Sequence, residues 1–237
     1  MPLVEPNLYH FSGIIIKKNS FGEGHASFTI LDREKGKIEI FSFGSDREKS
    51  RRRSILIVPN LIEGVIYKSR NFDYFSIKEV SLKKDFSNIT SNLEKAAYLF
   101  LALEIIDNFV ATGFEASLPV TFSNTLNFLK KIEAQNDVEK YAFFLIFNLL
   151  NTEGILPDFT TEDALETFTK ELNIRNFSLG SGARKFVVDI LKIKDINLLD
   201  NKKVSNSVII NLLELVSLIV KAEKDIELSS LSIIPLK

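Results

Sequence analysis

Residues 25–43 read HASFTILDREKGKIEIFSF, and this stretch decides how the first part of the chain folds. Apolar residues alternate with polar ones over residues 25–32 and again over residues 37–43, on either side of the turn-forming letters DREKG. A period of two is the side-chain period of a β-strand that buries one face. The stretch therefore predicts two strands joined by a tight turn that ends at Gly36.

Three further segments before residue 90 have strand character, namely residues 8–18, 61–67 and 74–82. Turn-forming letters separate them, as in NSFGEG at residues 19–24 and GSD at residues 44–46. Five short strands at regular spacing favour a small closed barrel, because closure removes the exposed edges that an open sheet would leave.

The apolar period becomes helical after residue 88. The letters SNLE at residues 91–94 form a capping box in which Ser91 and Glu94 satisfy the first free N–H groups, and Gly113 is the predicted C-cap. Further helices are predicted over residues 117–134, 138–151, 161–172, 181–193 and 205–222, with Ser181 as the N-cap of the one that begins there. The predicted fold class is α+β with two domains, a five-stranded barrel over residues 1–87 and an all-α helical bundle over residues 88–237.

Composition and charge exclude several classes of protein. The 237 residues include no Cys and two His, which excludes disulfides, thiol nucleophiles and Cys-ligated metals. Residues 1–90 hold 15 Lys and Arg against 11 Asp and Glu, whereas residues 91–237 hold 15 against 20. The start of the chain has no secretory pattern, and the longest apolar run, residues 208–220, is shorter than the roughly 20 residues of a membrane span. We expect a cytoplasmic protein with no membrane contact.

No sequence signature of catalysis is present. The chain lacks a phosphate-binding G-x-x-x-x-G-K-[ST], a G-x-S-x-G elbow and an H-E-x-x-H zinc motif. His10 and His25 lie in strand-like segments and are interpreted as surface or packing residues. The prediction is a protein that is not an enzyme, with no catalytic residue, metal, cofactor or small-molecule substrate.

The strongest positive feature is a cluster of basic residues after the third strand. Residues 47–53 contain five cations and one acid, and the cations are Arg47, Lys49, Arg51, Arg52 and Arg53. Such a cluster faces water or a polyanion, and Arg binds phosphate oxygens with two parallel hydrogen bonds. The two interpretations left open are a nucleic-acid contact and a solvated basic loop.

Further cations lie where barrels of the oligonucleotide-binding (OB) type contact their ligands, in the loops after strands one and four and on the face of strands two and three. These candidates are Lys17, Lys18, Arg33, Lys35, Lys37, Lys68 and Arg70. Phe41, Phe43 and Tyr74 are candidate base-stacking residues, since parity places both Phe side chains opposite Ile38 and Ile40. The alternative is that this face packs onto the helical half.

Six segments, in order along the chain, resemble one known family. They are residues 13–23 (GIIIKKNSFGE), 35–37 (KGK), 43–51 (FGSDREKSR), Pro59, residues 149–157 (LLNTEGILP) and 226–230 (IELSS). They are similar to the opening G-x-[VI]-L…GE signature, the basic loop, the L-L-x-x-x-G-x-x-P motif and the closing segment of the bacterial recombination mediator RecO family. Asp46 and Glu48 dilute the basic loop, and Phe43 replaces a residue that is often basic in the family.

The resemblance implies an N-terminal OB-fold domain and a helical domain without the zinc that many members bind, since no Cys follows Pro157 here. It also implies binding of single- and double-stranded DNA, strand annealing, and action in the RecFOR pathway at the nucleoid. The implied partners are RecR and the C-terminal tail of the single-stranded DNA-binding protein (SSB), with RecA loaded onto SSB-coated DNA.

Two points stay open on the sequence alone. The acidic tail of SSB requires an apolar groove with a basic rim. Lys130, Lys131 and Lys140 could supply the rim, but ordinary solvated helix ends are the favoured interpretation and these residues are not among the predicted site residues. The barrel and bundle could also form a scaffold that binds only proteins. A third alternative, a hydrolase or nuclease, lacks a carboxylate cluster with metal-ligand spacing.

Overall fold

The computed structural model describes residues 7–68, 74–112, 119–171 and 177–235. The five predicted strands are present as β1 (Leu8–Phe21), β2 (His25–Asp32), β3 (Gly36–Ser42), β4 (Leu61–Lys68) and β5 (Phe75–Lys84). They close into a barrel in the order β1-β2-β3-β5-β4. The predicted fold class, an OB-type barrel followed by helices, is confirmed.

Every second side chain along β2 and β3 points into the barrel and fills it. Phe28 and Ile30 of β2 and Ile38 and Ile40 of β3 are fully buried, and Leu56 enters the same core from the connection between β3 and β4. Burying each such side chain contributes about 1.5–3 kcal/mol, so a slip of one residue would turn this set to solvent. The alternation therefore fixes the strand register.

The same register orders the outer face of β1, β2 and β3. Rows of paired residues run across the strands: Lys17 with Thr29 and Glu39, Asn19 with Ser27 and Phe41, and Phe21 with His25. A register shift between Ile15 and Lys17 changes the parity of β1 in its middle. The face thus changes from charged at its centre to aromatic at one end.

Six α-helices follow, in the segments where the helical period predicted them. They are α1 (Leu93–Phe109), α2 (Pro119–Ala134), α3 (Glu139–Thr152), α4 (Glu162–Glu171), α5 (Ser181–Lys192) and α6 (Asn206–Lys224). In α3, every residue from Lys140 to Phe147 is buried, as in a helix surrounded by others. None of the helices in the described ranges is long and apolar enough to cross a membrane.

Two of the predicted helix caps are wrong by one residue. Ser91 ends a short 3₁₀ helix (Ser87–Ser91), so the side chain of Asn92 instead accepts the hydrogen bond from the Lys95 N–H, at 3.0 Å. Gly180 occupies the N-cap of α5, and Ser181 is already its first residue. Gly113, the predicted C-cap of α1, lies outside the described residues.

Packing divides the chain into two compact units, Met1–Ser91 with Val110–Leu126, and Asn92–Phe109 with Asn127–Lys237. The domain division predicted from sequence is residues 1–87 and 88–237. The first compact unit also takes in the described residues 110–112 and 119–126.

Within the helical unit, Glu104 of α1 anchors the C-terminal segment. Its carboxylate accepts hydrogen bonds from the N–H and hydroxyl groups of Ser229, at 3.0 and 2.9 Å, and of Ser230, at 3.0 and 2.5 Å. Burial alone would raise the pKa of Glu104, but these hydrogen bonds more than offset it and hold the pKa below its ordinary value. The charged form therefore stabilises the fold.

Replacing Glu104 with Gln should lower the free energy of unfolding by roughly 1.5–3 kcal/mol at pH 7, because an amide oxygen and an NH₂ group cannot accept all four bonds. Because the folded-state pKa is lowered, this stabilisation is present above the ordinary Glu pKa and is lost as pH falls through the folded-state pKa. Urea unfolding followed by circular dichroism should thus show a difference in unfolding free energy between wild type and Glu104→Gln, and this difference should become smaller in acid.

Glu223→Gln, which removes an exposed carboxylate from α6, is the matched control and should leave the unfolding free energy within about 0.5 kcal/mol of wild type. If the loss of unfolding free energy in Glu104→Gln is the same at pH 7 and at pH 3, the charged Glu104 carboxylate does not stabilise the fold.

Candidate nucleic-acid interface

Strand ends from the whole barrel meet at one end of it. Phe21 at the end of β1 pairs with His25 at the start of β2, and Ala26 pairs with Ser42 at the end of β3. Ile40, near the end of β3, pairs with Phe75 at the start of β5, and Phe75 pairs with Lys68 at the end of β4. The ends of β1, β3 and β4 and the starts of β2 and β5 therefore lie side by side. We call this the loop end of the barrel.

Five aromatic side chains at the loop end form a closed ring of contacts. Their ring centroids are separated by 5.8 Å for Phe21–His25, 5.4 Å for His25–Phe43, 6.3 Å for Phe43–Tyr74, 5.2 Å for Phe41–Tyr74 and 6.0 Å for Phe21–Phe41. Most pairs meet edge to face or tilted, the geometry that aromatic quadrupoles favour. We call these five residues the aromatic ring cluster.

Parts of the aromatic ring cluster face outward. Phe43 is 50% exposed and Phe21 is 41% exposed, whereas Phe41, His25 and Tyr74 are partly buried between them. Solvent-exposed Phe surface costs free energy in an isolated protein unless a ligand or partner covers it. Two adjacent exposed rings are therefore a platform on which another flat apolar surface can lie.

His25 is held in one orientation inside the cluster. The Gly44 N–H donates a hydrogen bond to His25 Nδ1 at 3.0 Å. This bond couples the start of β2 to the turn that carries Phe43. The rings are thus positioned by the backbone as well as by one another.

Arg47 lies beside the cluster. A Cβ added to Gly24 would meet its Cγ at 2.6 Å, and one added to Gly44 would meet its Nε at 3.7 Å. The Arg47 stem therefore runs over the backbone that flanks His25 and Phe43, and only glycine at position 24, where φ is +81°, leaves room for it.

Four more predicted cations are exposed in or near the barrel's first connections: Lys17, Lys49, Arg51 and Arg53. The last two lie on a short 3₁₀ helix, Arg51–Ser54, that follows the basic loop. Together with Arg47 they are five of the exposed cations of the unit that carries the aromatic ring cluster.

Lys18 is not an outward cation. Its ammonium pairs with the Asp46 carboxylate, and its side chain follows the inward parity of β1 opposite Phe28, with Nζ 5.8 Å from that ring centroid. The predicted DNA contact at Lys18 is therefore already matched by an acid of the same chain.

Arg52 completes the barrel wall. Its guanidinium donates to Ser42 Oγ at 3.5 Å, to the Ile77 carbonyl at 3.4 Å and to the Lys78 carbonyl at 2.9 Å. These groups lie where the β3–β5 pairing stops, after Phe41 and Ser76. The basic cluster was predicted as one nucleic-acid contact, but Arg52 contributes to structure because its donors are used internally.

Three predicted site residues lie toward the far end of β2 and β3, about 13–26 Å along the strands from the aromatic ring cluster at 3.3 Å per residue. Arg33 is exposed in the turn, and Lys35 Nζ donates to the His10 carbonyl at 2.6 Å. Lys37 is 8% exposed, because its backbone pairs with Thr112 in a parallel bridge that covers this end of the outer face. The structure does not bring them to the loop end.

The last two basic candidates belong to the connection between β4 and β5. Lys68 is exposed, and its ammonium lies 5.9 Å from the Phe75 ring centroid. Arg70 lies outside the described residues. Lys68 is thus at the loop end, beside the start of β5.

The outer face is not uniform. It is covered at Lys37, which pairs with Thr112, and exposed at Phe43. The sequence analysis missed Phe21 and His25, which complete the aromatic ring cluster. Extending the period of two beyond residue 18 would have found Phe21, and pairing it with the first residue of β2 would have found His25.

The lysines proposed as a basic rim in the helical unit have other partners. Lys131 Nζ binds both Asp200 carboxylate oxygens, at 2.7 and 2.8 Å, and Tyr141 donates to the same carboxylate at 2.8 Å. These bonds hold the pKa of Asp200 below its ordinary value. Lys140 is buried and donates to the carbonyls of Asp200 and Lys202, at 3.0 and 3.1 Å. Lys131 and Lys140 thus bind groups of the helical unit itself, while Lys130 is exposed.

A cavity of about 830 Å³ in the helical unit instead combines apolar and basic lining. Phe159, Leu179 and Val188 supply apolar surface, and three cations, Arg184, Lys185 and Lys192, outnumber the one acid, Glu166. A second, apolar groove of about 330 Å³ along α6 is lined by Glu214 as well as by aliphatic side chains. The two surfaces therefore have opposite charge character.

Among the described residues, no group of three or more His, Cys, Asp or Glu side chains comes together as metal ligands would. The loop end combines exposed aromatic surface with exposed cations.

The fold and this end of the barrel define the class, a protein that joins an OB-type barrel to a helical unit. No family model matches the chain. Proteins named DNA repair protein RecO are similar to it, including those of Acetivibrio thermocellus (28% identity over 152 residues), Desulfitobacterium hafniense (25% over 150) and Bacillus subtilis (23% over 146).

These alignments cover 64%, 63% and 62% of this chain and 59%, 53% and 56% of the respective relatives. The chain thus matches between about half and three-fifths of the length of those relatives. The chain is thus similar to the RecO proteins over this aligned region.

Replacing Arg52 with Ala should lower the free energy of unfolding by about 1.5–3 kcal/mol, since it removes charged hydrogen bonds and leaves the Lys78 carbonyl without this donor. Arg51→Ala, one residue earlier on the exposed side of the same turn, should change it by less than about 0.5 kcal/mol. If both substitutions lower the unfolding free energy by the same amount in urea, the hydrogen bonds of Arg52 to β3 and β5 do not stabilise the barrel.

Proposed function

We propose that this protein is a DNA repair and recombination mediator. It binds single- and double-stranded DNA without sequence specificity, anneals complementary strands and, with RecR, helps to load RecA onto SSB-coated DNA. The single observation that carries the proposal is the aromatic ring cluster with exposed cations in the same unit of a RecO-like barrel.

Stacking accounts for the preference for unpaired DNA. Every base has an apolar face, so Phe21 and Phe43 can each cover one without reading its identity. Bases in a duplex already stack on each other and offer no free face. The platform therefore distinguishes single strands from duplexes without base-edge hydrogen bonds.

Cations account for the affinity. Lys17, Arg47, Lys49, Arg51 and Arg53 can each neutralise a phosphate and release condensed counterions. Phosphate contacts carry no sequence information, which suits a protein that must act anywhere on a chromosome. Two strands held on one cationic surface also repel each other less, and this favours annealing.

The helical unit supplies a surface for the SSB tail. That tail is acidic with an apolar end, and the cavity lined by Phe159, Leu179, Lys185 and Lys192 offers the complementary chemistry. The groove along α6, which includes Glu214, does not. We place the tail at the former cavity and the whole assembly at the nucleoid in the cytoplasm.

Annealing of SSB-coated complementary oligonucleotides is the experiment that tests the function. The proposal expects the protein to accelerate the appearance of duplex without hydrolysing any nucleotide. If the chain is a scaffold that binds only proteins, it will neither anneal the strands nor shift a bare oligonucleotide in a gel.

Engagement of five phosphates should give a slope of log K against log salt near −3.5 for single-stranded DNA, from roughly −0.7 per contact. Replacing Arg51 and Arg53 together with Ala should flatten the slope by about 1.4. Arg52 is left intact, because its loss would destabilise the barrel as well as remove a charge.

The charge-matched control replaces Lys194 and Lys203, two exposed cations of the helical unit, and should leave the slope unchanged. Equal flattening by both double variants would mean that net charge alone, and not the barrel surface, sets the affinity.

Phe43→Ala should weaken binding of an oligothymidylate by about 1–3 kcal/mol, or roughly 5- to 150-fold, because it removes one stacking platform. Binding of a duplex of equal length should change little. Leu82→Ala removes a comparably exposed apolar side chain of β5 and serves as the control. Equal losses for single-stranded and duplex DNA would rule out stacking on Phe43.

A further inference from the structure

Asp46 lies inside the basic cluster and is surrounded by donors. Lys18 Nζ binds its Oδ1, Ser20 Oγ donates to its Oδ2 at 2.5 Å, and its own N–H donates to the Gly24 carbonyl at 3.1 Å. Arg53 adds a positive charge close enough to act on the carboxylate. The acid thus joins the end of β1 to the loop that follows β3.

The donors around this carboxylate are those that bind phosphate. An ammonium, a hydroxyl and a nearby guanidinium are the usual partners of a backbone phosphate oxygen, and a carboxylate presents similar acceptor oxygens. Ser20 directly precedes Phe21, so the site adjoins the aromatic ring cluster. A phosphate there would belong to a nucleotide whose base lies over the exposed rings.

We propose that Lys18 is a phosphate ligand of the DNA site that the protein's own Asp46 keeps neutralised. The carboxylate occupies the position of a backbone phosphate and removes one cation from the surface available to DNA. This inference rests on the proposed DNA-binding function and concerns how tightly the protein binds DNA.

The carboxylate remains charged in the physiological range. Burial raises the pKa of Asp46, but hydrogen bonds from Lys18 and Ser20 and the charges of Lys18 and Arg53 offset this and hold the pKa below its ordinary value. Acidification within that range therefore does not release Lys18. Only removal of the carboxylate or of its charge does so.

The pairing of Asp46 with Lys18 is a local effect. It can therefore be distinguished from the general reduction of DNA affinity that any negative charge on the protein would cause. Glu48 lies two residues away in the same loop and is exposed to solvent. Removing either acid changes the net charge equally, but only the loss of Asp46 frees a specific cation. Asp46→Asn and Glu48→Gln are therefore a matched pair.

The experiment measures oligothymidylate binding as a function of salt for wild type, Asp46→Asn and Glu48→Gln. Asp46→Asn should steepen the slope of log K against log salt by about 0.7 and raise affinity roughly fivefold at 0.1 M salt, as one added contact predicts. Glu48→Gln should leave the slope unchanged. Adding Lys18→Met to Asp46→Asn should abolish the gain.

A second measurement does not depend on the stability of the Asp46 variant. In the wild-type background, Lys18→Met should leave the slope unchanged, whereas Arg51→Met should lower its magnitude by about 0.7. Loss of slope with Lys18→Met equal to that with Arg51→Met would overturn the inference, because Lys18 would then already contact DNA.

The outcomes distinguish failure of the inference about Asp46 from failure of the proposed DNA-binding function. If wild type binds and Asp46→Asn behaves like Glu48→Gln, DNA binding stands and the role of Asp46 is refuted. If neither wild type nor Asp46→Asn binds the oligonucleotide, the proposed function itself fails. If only Asp46→Asn binds, the carboxylate restrains binding more strongly than one contact, and the inference is supported.

Discussion

Closure of the barrel between β3 and β5 is the constraint on which the rest of the first unit depends. Within the described residues the two strands share two registered pairs, Ile40 with Phe75 and Phe41 with Ser76. Beyond them, Arg52 spans the gap from Ser42 to the carbonyls of β5. Without this closure Phe41 and Tyr74 would separate, and the aromatic ring cluster would lose the side that joins β3 to β5.

A basic cluster in a sequence therefore serves several purposes at once. Of five neighbouring cations, Arg52 is structural, Arg47 lies along the glycine backbone beside the rings, and Arg51 and Arg53 point outward. Asp46 further reduces the charge offered to a ligand by holding Lys18. The strength of a polyanion contact follows from which cations keep free donors, and the number of cations in the sequence overstates it.

Local pattern was sufficient to predict the strands, the helices and the outward parity of Phe41, because these follow from periods of two and of 3.6 residues. It failed where a distant segment decides the outcome. Lys37 is covered through Thr112, and Asp46 meets Lys18 across 28 positions of sequence. Asn92 replaced Ser91 as a cap because a short 3₁₀ helix extends to Ser91, a boundary that propensity does not fix.

Ultraviolet cross-linking of an oligothymidylate to the intact chain, followed by peptide mass spectrometry, tests the central claim most directly. The account predicts adducts on the peptides that contain Phe21, Phe43 and Tyr74, at one end of the barrel. Adducts confined to residues 127–235, with none on the barrel, would contradict it.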